Sequence, residues 1–181
     1  MSKITIYADA VKEIKIAILQ SRYDAARMAN IEQLSLYYSV GKYVSDNTRT
    51  GQWGTGAIEQ ISKQLQAELP GLRGFSQTNI KYMRSFYEKW QPSLEPNRQL
   101  PTDDLINHVD YLAIRQLTTG ESHQEDMAAF LRVGFTHHTE ILTKCVLTDE
   151  RWYYIKKCAA EFWSVDSLKY HLQQANGCCD I

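Results

Sequence analysis

Residues 53–90 read WGTGAIEQISKQLQAELPGLRGFSQTNIKYMRSFYEKW and contain the pattern that decides the fold. Apolar residues recur at steps of three and four on both sides of a turn rich in proline and glycine, which predicts a helix, a turn and a second helix. Ser76 is suited to cap the second helix, predicted over residues 76–90, because its hydroxyl can accept a hydrogen bond from an amide near Asn79. The expected buried positions are Ile58, Ile61, Leu65 and Leu69 in the first helix and Ile80, Met83 and Tyr87 in the second.

The polar face of this second helix, together with the turn before it, carries side chains suited to contact a nucleic acid. Cationic and amide groups bind phosphate oxygens and base edges. We therefore predict a DNA-binding surface that consists of Arg73, Gln77, Asn79, Lys81 and Arg84. The connection from Pro70 to Ser76 is longer than the about three to four residues of a compact helix-turn-helix, so the predicted unit is helix-turn-helix-like.

The region from about residue 10 to residue 47 has a long helical pattern without proline. One extended helix or two helices with a kink near Asn30 would satisfy this pattern. We expect its apolar stripe to pack against the rest of the domain rather than in a dimerising coiled coil, because the stripe departs from strict heptads. The stripe consists of Val11, Ile14, Ile18, Ala25, Leu34, Tyr37, Gly41 and Val44.

Helical periodicity disappears after Trp90, and three of the four prolines follow within a few residues. Residues 91–107 are therefore predicted to form a linker or loop between a long helix with the helix-turn-helix-like unit (1–90) and a C-terminal helical part of the same domain (108–181). No stretch alternates with the two-residue period of a strand, which predicts an all-α fold.

A short segment near the C-terminus is similar to the start of the second helix. WSVDSLKY at 163–170 aligns with FSQTNIKY at 75–82, and the aromatic-threonine pair at 135–136 is a weaker third copy. Two interpretations stay open: the helix-turn-helix-like unit is repeated, or the chain reuses an aromatic residue and a hydroxyl cap to begin a helix.

Composition limits the class of protein. A chain of 181 residues with 44% hydrophobic and 23% charged residues is typical of a soluble globular protein of one or two small domains. The net charge of −1 means that any nucleic-acid surface must be local. No segment reads as a signal peptide or membrane span, and the four cysteines (Cys145, Cys158, Cys178, Cys179) lack a CxxC spacing, so we expect a reduced, cytoplasmic setting.

No motif predicts catalysis. The glycine-rich residues 45–56 lack the spacing of a phosphate-binding loop. Segments 13–15 and 101–104 imitate fragments of a metal-dependent nuclease site, but in the wrong order and without strands. The two histidines His137 and His138 could form a zinc site only with Cys145 and Cys158, and these four residues are spaced too widely along the chain for a typical zinc site. We therefore expect no enzyme activity, no cofactor and no metal.

Six motifs together suggest a family. They are LYYSVGK at 36–42, WGTGAIEQISKQL at 53–65, PGLRGFS at 70–76, NIKYMRSF at 79–86, ERWY at 150–153 and WSVDSL at 163–168. This combination resembles the N-terminal domain of the YhcG-like family of PD-(D/E)xK nucleases, over nearly the whole chain and most weakly across 91–133. The basic residue of that family's GWSR motif is Val165 here.

The resemblance implies a helical, DNA-binding module that normally precedes a nuclease domain. We expect that nuclease domain to be missing from this chain and to be supplied in trans if it acts at all. The alternative is a protein-interaction or oligomerisation module with no direct DNA contact, and eleven tyrosines would suit such a surface. Homo-oligomerisation is part of that alternative.

Overall fold

A computed structural model describes residues 3–94 and 121–177, with side chains from 7–94 and 125–174. The described residues form seven α-helices and no strand, which confirms the all-α prediction. Most of the predicted linker, the segments at 101–104 and 108–120, and Cys178 and Cys179 lie outside the described residues. The helices are α1 (Lys3–Arg49), α2 (Ala57–Glu68), α3 (Gln77–Leu94), α4 (Glu121–Arg132), α5 (Phe135–Lys144), α6 (Thr148–Glu161) and α7 (Val165–Gly177).

The first helix is continuous over 47 residues, without the alternative break near Asn30. The prediction that its apolar residues form one buried stripe is wrong. Val11 is 64% exposed, whereas Leu34 is fully buried. At about 100° per residue, the nine-residue step from Ala25 to Leu34 rotates the helix by about half a turn. The N-terminal members of the predicted stripe therefore lie on the opposite face from the C-terminal members, and only the latter reach the core.

The centre of the fold is the crossing of α1 and α3. Ile80 and Met83 are buried as predicted, and α3 continues past the predicted end at Trp90 to Leu94, with Pro92 inside the helix. A Cβ atom at Gly41 of α1 would lie closer than 3.0 Å to the backbone carbonyl of Met83. The side chains that meet at this crossing are Leu34, Tyr37 and Tyr38 of α1 with Met83, Phe86 and Trp90 of α3.

The second helix packs beside α3 through a small cluster. Ile58 is buried with Val44 and Ile80, which confirms its predicted role. Leu69 is 53% exposed, contrary to the prediction, because α2 ends at Glu68 and Leu69 begins the turn. The buried Ser62 hydroxyl instead donates to the carbonyl of Phe75 at 2.9 Å, and this bond ties α2 to the turn.

The helices α4 to α7 complete the same core. Phe130, Ile141, Ile155 and Leu168, one from each helix, are fully buried in the cluster that also contains Leu34 and Trp90. The guanidinium of Arg151 donates to the carbonyls of Cys145 (3.1 Å), Val146 (2.8 Å) and Lys89 (3.2 Å). These bonds attach the start of α6 to the end of α3 and satisfy carbonyls near two helix termini.

Two of the three similar segments begin a helix with the same type of cap, a serine hydroxyl. Ser76 Oγ accepts from the amide of Asn79 at 3.2 Å, and Ser164 Oγ accepts from the amide of Ser167 at 3.1 Å. The turns before them differ, since residues 69–76 connect α2 and α3 but only residues 162–164 connect α6 and α7. The third copy is wrong, because Gly134 is the cap there and Thr136 lies within the first turn of α5.

Histidine 138 lies inside the aromatic core. Its ring is fully buried, and its Nε2 lies 3.1 Å from the carbonyl oxygen of Phe130. The Nδ1 atom has no hydrogen-bond partner in the described chain. Burial is the main reason why the pKa of His138 is lowered from 6.5 to about 3. The imidazole is therefore a neutral, structural part of the core.

We predict that Gly41→Ala destabilises the fold by at least about 2 kcal/mol, because the added methyl group would force α1 and α3 apart. Gly54→Ala is the matched control, since no atom lies within 4 Å of a Cβ at that position. Urea unfolding of both variants measures the difference. Equal stability of the two variants would contradict the close crossing.

We also predict a pH-dependent stability that originates at His138. Between its folded pKa of about 3 and the ordinary value of 6.5, the unfolded chain binds a proton that the folded chain does not bind. The free energy of unfolding should therefore fall as the pH drops through 6.5, by about 2 kcal/mol at pH 5 relative to pH 7.5.

Urea titrations at several pH values measure this slope. His138→Gln should remove most of it, and His137→Gln should retain it. A slope that survives in His138→Gln would assign the effect to other groups.

Candidate nucleic-acid interface

The turn between α2 and α3 depends on two glycines and on a hydrogen bond from Asn79, one of the predicted site residues. Gly71 and Gly74 both have a φ of 87°, a left-handed conformation that favours glycine. A Cβ atom at Gly74 would also lie 2.6 Å from the hydroxyl of Tyr37. The side-chain amide of Asn79 donates to the carbonyl of Gly74. Asn79 therefore holds the turn, and one of the two N–H donors of its side-chain amide is used for this bond.

Three of the predicted residues line one cleft. Gln77, Lys81 and Arg84 face the loop before α2 across a shallow cleft of about 500 Å³. Their spacing of four and three residues along α3 places them on one side of the helix. Arg73 does not line this cleft; it lies exposed in the turn. The structure thus brings together three of the five predicted residues and leaves Arg73 and Asn79 outside.

Lys81 and Arg73 are the two exposed cations of this region without a fixed partner. Neither side chain makes a hydrogen bond or an ion pair with the described residues. Glu59, which also lines the cleft, pairs with Lys63 at 2.7 Å. The hydrogen bond from Lys63 is the main reason why the pKa of Glu59 is lowered, and the charge of Lys81 adds to the effect. The charge of Lys81 is therefore only partly balanced.

Arg84 differs because it belongs to a network with α1. Its Nη1 lies 3.4 Å from Thr48 Oγ1, and its Nε lies 3.8 Å from Glu88 Oε1. Arg49 also donates to both carboxylate oxygens of Glu88 at 3.0 Å, and Ser45 donates at 2.9 Å.

The carboxylate of Glu88 stays ionised in this network. Burial alone would raise the pKa of Glu88, but the hydrogen bonds from Arg49 and Ser45 outweigh that effect and leave the pKa below its usual value. Arg49 and Arg84 share the single charge of Glu88, and Arg49 makes the shorter contacts. Arg84 is therefore held within the fold, but its charge is only partly balanced.

The opposite wall of the cleft was missed by the sequence-based prediction. It contains Thr48, Trp53 and Thr55 together with the first residues of α2. Gly56 precedes α2 with a φ of 90° and provides no side-chain cap. The amide of Ala57 donates to the carbonyl of Gly54 at 3.3 Å, and residues 56–59 at the start of α2 line the cleft. The positive end of a helix favours an anionic group. The glycines at 51, 54 and 56 before an amphipathic helix were the available signal.

The histidine and cysteine residues that were considered as zinc ligands form no reactive site in the described structure. His137 Nε2 lies 2.9 Å from the carbonyl oxygen of Trp163 and links α5 to the turn before α7. Burial raises the pKa of the Cys145 thiol to about 12 and that of the Cys158 thiol to about 11, so neither is a reactive thiolate near neutral pH. In residues 3–94 and 121–177, no three His, Cys, Asp or Glu side chains are grouped as a metal site.

None of the described helices combines the length and the apolar character needed to cross a bilayer.

Comparison with known proteins identifies a family for this chain. Residues 13–176 match the family described as the DUF1016 N-terminal domain. A comparison with curated proteins and one with solved structures gave no match. Because the matched range includes all of α2 to α6 and most of α1 and α7, this chain belongs to the DUF1016 N-terminal domain family.

Proposed function

We propose that this chain is a DNA-binding, non-catalytic module that contacts DNA through the start of α3 and the turn before it. The observation that carries the proposal is that two exposed cations have no hydrogen-bond or ion-pair partner in the described chain: Lys81, which lines a cleft at the start of α2, and Arg73, which lies in the turn before α3. Cations of this kind are available to replace the counterions of phosphate groups.

The core gives this surface a defined orientation. Ile80 and Met83 are buried, so α3 cannot rotate about its axis, and Gln77 and Lys81 remain on the outer side. Lys81 and Arg73 would bind phosphates, and Gln77 is the side chain suited to a base edge. Since Asn79 and Arg84 are engaged within the fold, we assign the contacts mainly to the phosphate backbone.

We further propose that the module acts with a nuclease domain of the PD-(D/E)xK type, either in the same polypeptide or in trans. Support comes from the PGLRGFS segment at 70–76 and the NIKYMRSF segment at 79–86, which resemble the YhcG-like family. In this proposal the helical module positions the DNA, and the metal-dependent cleavage belongs to the partner domain.

The double variant Arg73→Gln/Lys81→Gln tests DNA binding. We expect its affinity for a fluorescent 20-base-pair duplex to fall roughly tenfold at about 100 mM salt, and the slope of log K against log salt to fall by about 2. Thermal unfolding should stay unchanged, because neither side chain bonds to the described protein. Fluorescence anisotropy at several salt concentrations gives both quantities.

Arg132→Gln/Lys144→Gln is the matched control, since it also removes one exposed arginine and one exposed lysine, on α4 and α5. The control should bind as the wild type does. No binding by the wild type at low salt, or equal losses in the two double variants, would overturn the proposed interface.

A protein-interaction role is the second candidate. It is favoured by a different observation: the first half of α1 exposes a series of large apolar side chains. Soluble proteins seldom leave such a surface uncovered.

A further inference from the structure

The N-terminal part of α1 extends away from the rest of the protein. In residues 7–29, which we call the α1 arm, every residue is exposed. Only the last part of the arm faces the body, where Tyr23, Ala26 and Arg27 line a cavity with residues of α4 to α6. The side-chain amide of Asn30, just after the arm, donates to the carbonyl of Leu131 at 2.8 Å. At about 1.5 Å per residue, the arm is about 35 Å long. A lone helix gains most of its stability from packing of an apolar face, so the arm requires a partner surface.

One face of the arm has the spacing of a coiled coil. Its positions follow one another at steps of 4, 3, 4, 3, 4 and 3 residues, which is a heptad pattern over three heptads. Six of the seven positions are apolar. We call this face the arm seam; it consists of Tyr7, Val11, Ile14, Ile18, Ser21, Ala25 and Met28.

The arm seam points away from the body of its own chain. The residues of α1 that pack on the body, beginning with Leu34, lie about half a turn away around the helix axis. Val11 and Ile14 in the seam are 64% and 59% exposed. The apolar pattern over residues 10–47 departs from strict heptads because it combines residues from these two faces. The seam is a regular heptad pattern, and the body face is a different set of residues.

We propose that the arm seam pairs with the arm seam of a second copy of this chain in a two-stranded coiled coil. A second copy necessarily supplies the same spacing. The β-branched residues Val11 and Ile18 occupy position a of the heptad, where they favour two strands, and Ile14 is the one β-branched residue at position d. This pairing would bury apolar side chains that no other described part of the chain covers.

Charge does not oppose the pairing of identical arms. The arm carries Lys12, Lys15, Arg22 and Arg27 against Asp9, Glu13 and Asp24, so its net charge is 4 − 3 = +1. Of these seven, only Asp24 has a hydrogen bond to a described side chain, from Gln20 at 3.1 Å. A mixed and nearly neutral surface lets two copies approach without strong repulsion and leaves charges to pair across the interface.

The test is the molar mass of the whole chain in solution, measured by size-exclusion chromatography with light scattering at about 100 µM, because self-association depends on concentration. The wild type should elute with twice the chain mass of 20.9 kDa. Ile14→Lys/Ile18→Lys places charges within the seam and should yield the monomer. Circular dichroism should show an intact body with an unchanged melting temperature, because these residues do not contact the body.

Ile16→Lys/Leu19→Lys is the matched control, since it also replaces two exposed aliphatic side chains of the arm by lysine, at positions outside the seam. This variant should remain a dimer. A monomeric wild type, a stoichiometry other than two, or a dimer that is lost in the control and kept in the seam variant would each overturn the proposal.

Discussion

The rest of the structure depends on the close approach of α1 and α3 at Gly41. Only a hydrogen atom fits at this position, because a Cβ atom would collide with the carbonyl of Met83. The two helix backbones can therefore approach closely enough for Tyr38 to meet Phe86, with ring centroids 6.0 Å apart. Phe86 in turn contacts Phe130 and His138, so the same crossing positions the C-terminal helices. A single small residue thus controls packing over the whole core.

The crossing of α1 and α3 fixes the orientation of the candidate interface. One side of α3 is buried in the core, and the opposite side of its first turns carries Gln77 and Lys81. If α3 rotated about its axis, the buried side chains of Met83 and Phe86 would become exposed. The side chains on the outer side of α3 therefore have one orientation. The network of Glu88 with Arg49 and Arg84 links the same helix to the end of α1. On this part of α3, Arg84 is therefore held in a network within the fold, whereas Lys81 has no hydrogen bond or ion pair with the described residues.

The long first helix serves two purposes in different parts of its length. Its C-terminal half is a core element, and its arm carries an exposed apolar seam on the opposite face. Two chains joined through their arms would present two α3 surfaces to one duplex. Linked sites of this kind bind more tightly than either site alone, which matters for a surface with few unpaired cations. The coiled-coil proposal and the DNA-binding proposal nevertheless depend on different residues, so each can be tested separately.

The sequence by itself determined the helical class, the two helices around PGLRGFS, the Ser76 cap and the buried Ile80 and Met83, because these depend on local periodicity and local hydrogen bonds. It also placed Gln77, Lys81 and Arg84 on one side of α3. Only the tertiary structure decided that Arg84 is held by Thr48 and Glu88, and that the loop around Trp53 forms the opposite wall. Only the tertiary structure divided α1 into a buried half and an exposed arm. Periodicity shows which residues share a face, but whether another segment covers that face depends on contacts between residues far apart in the chain.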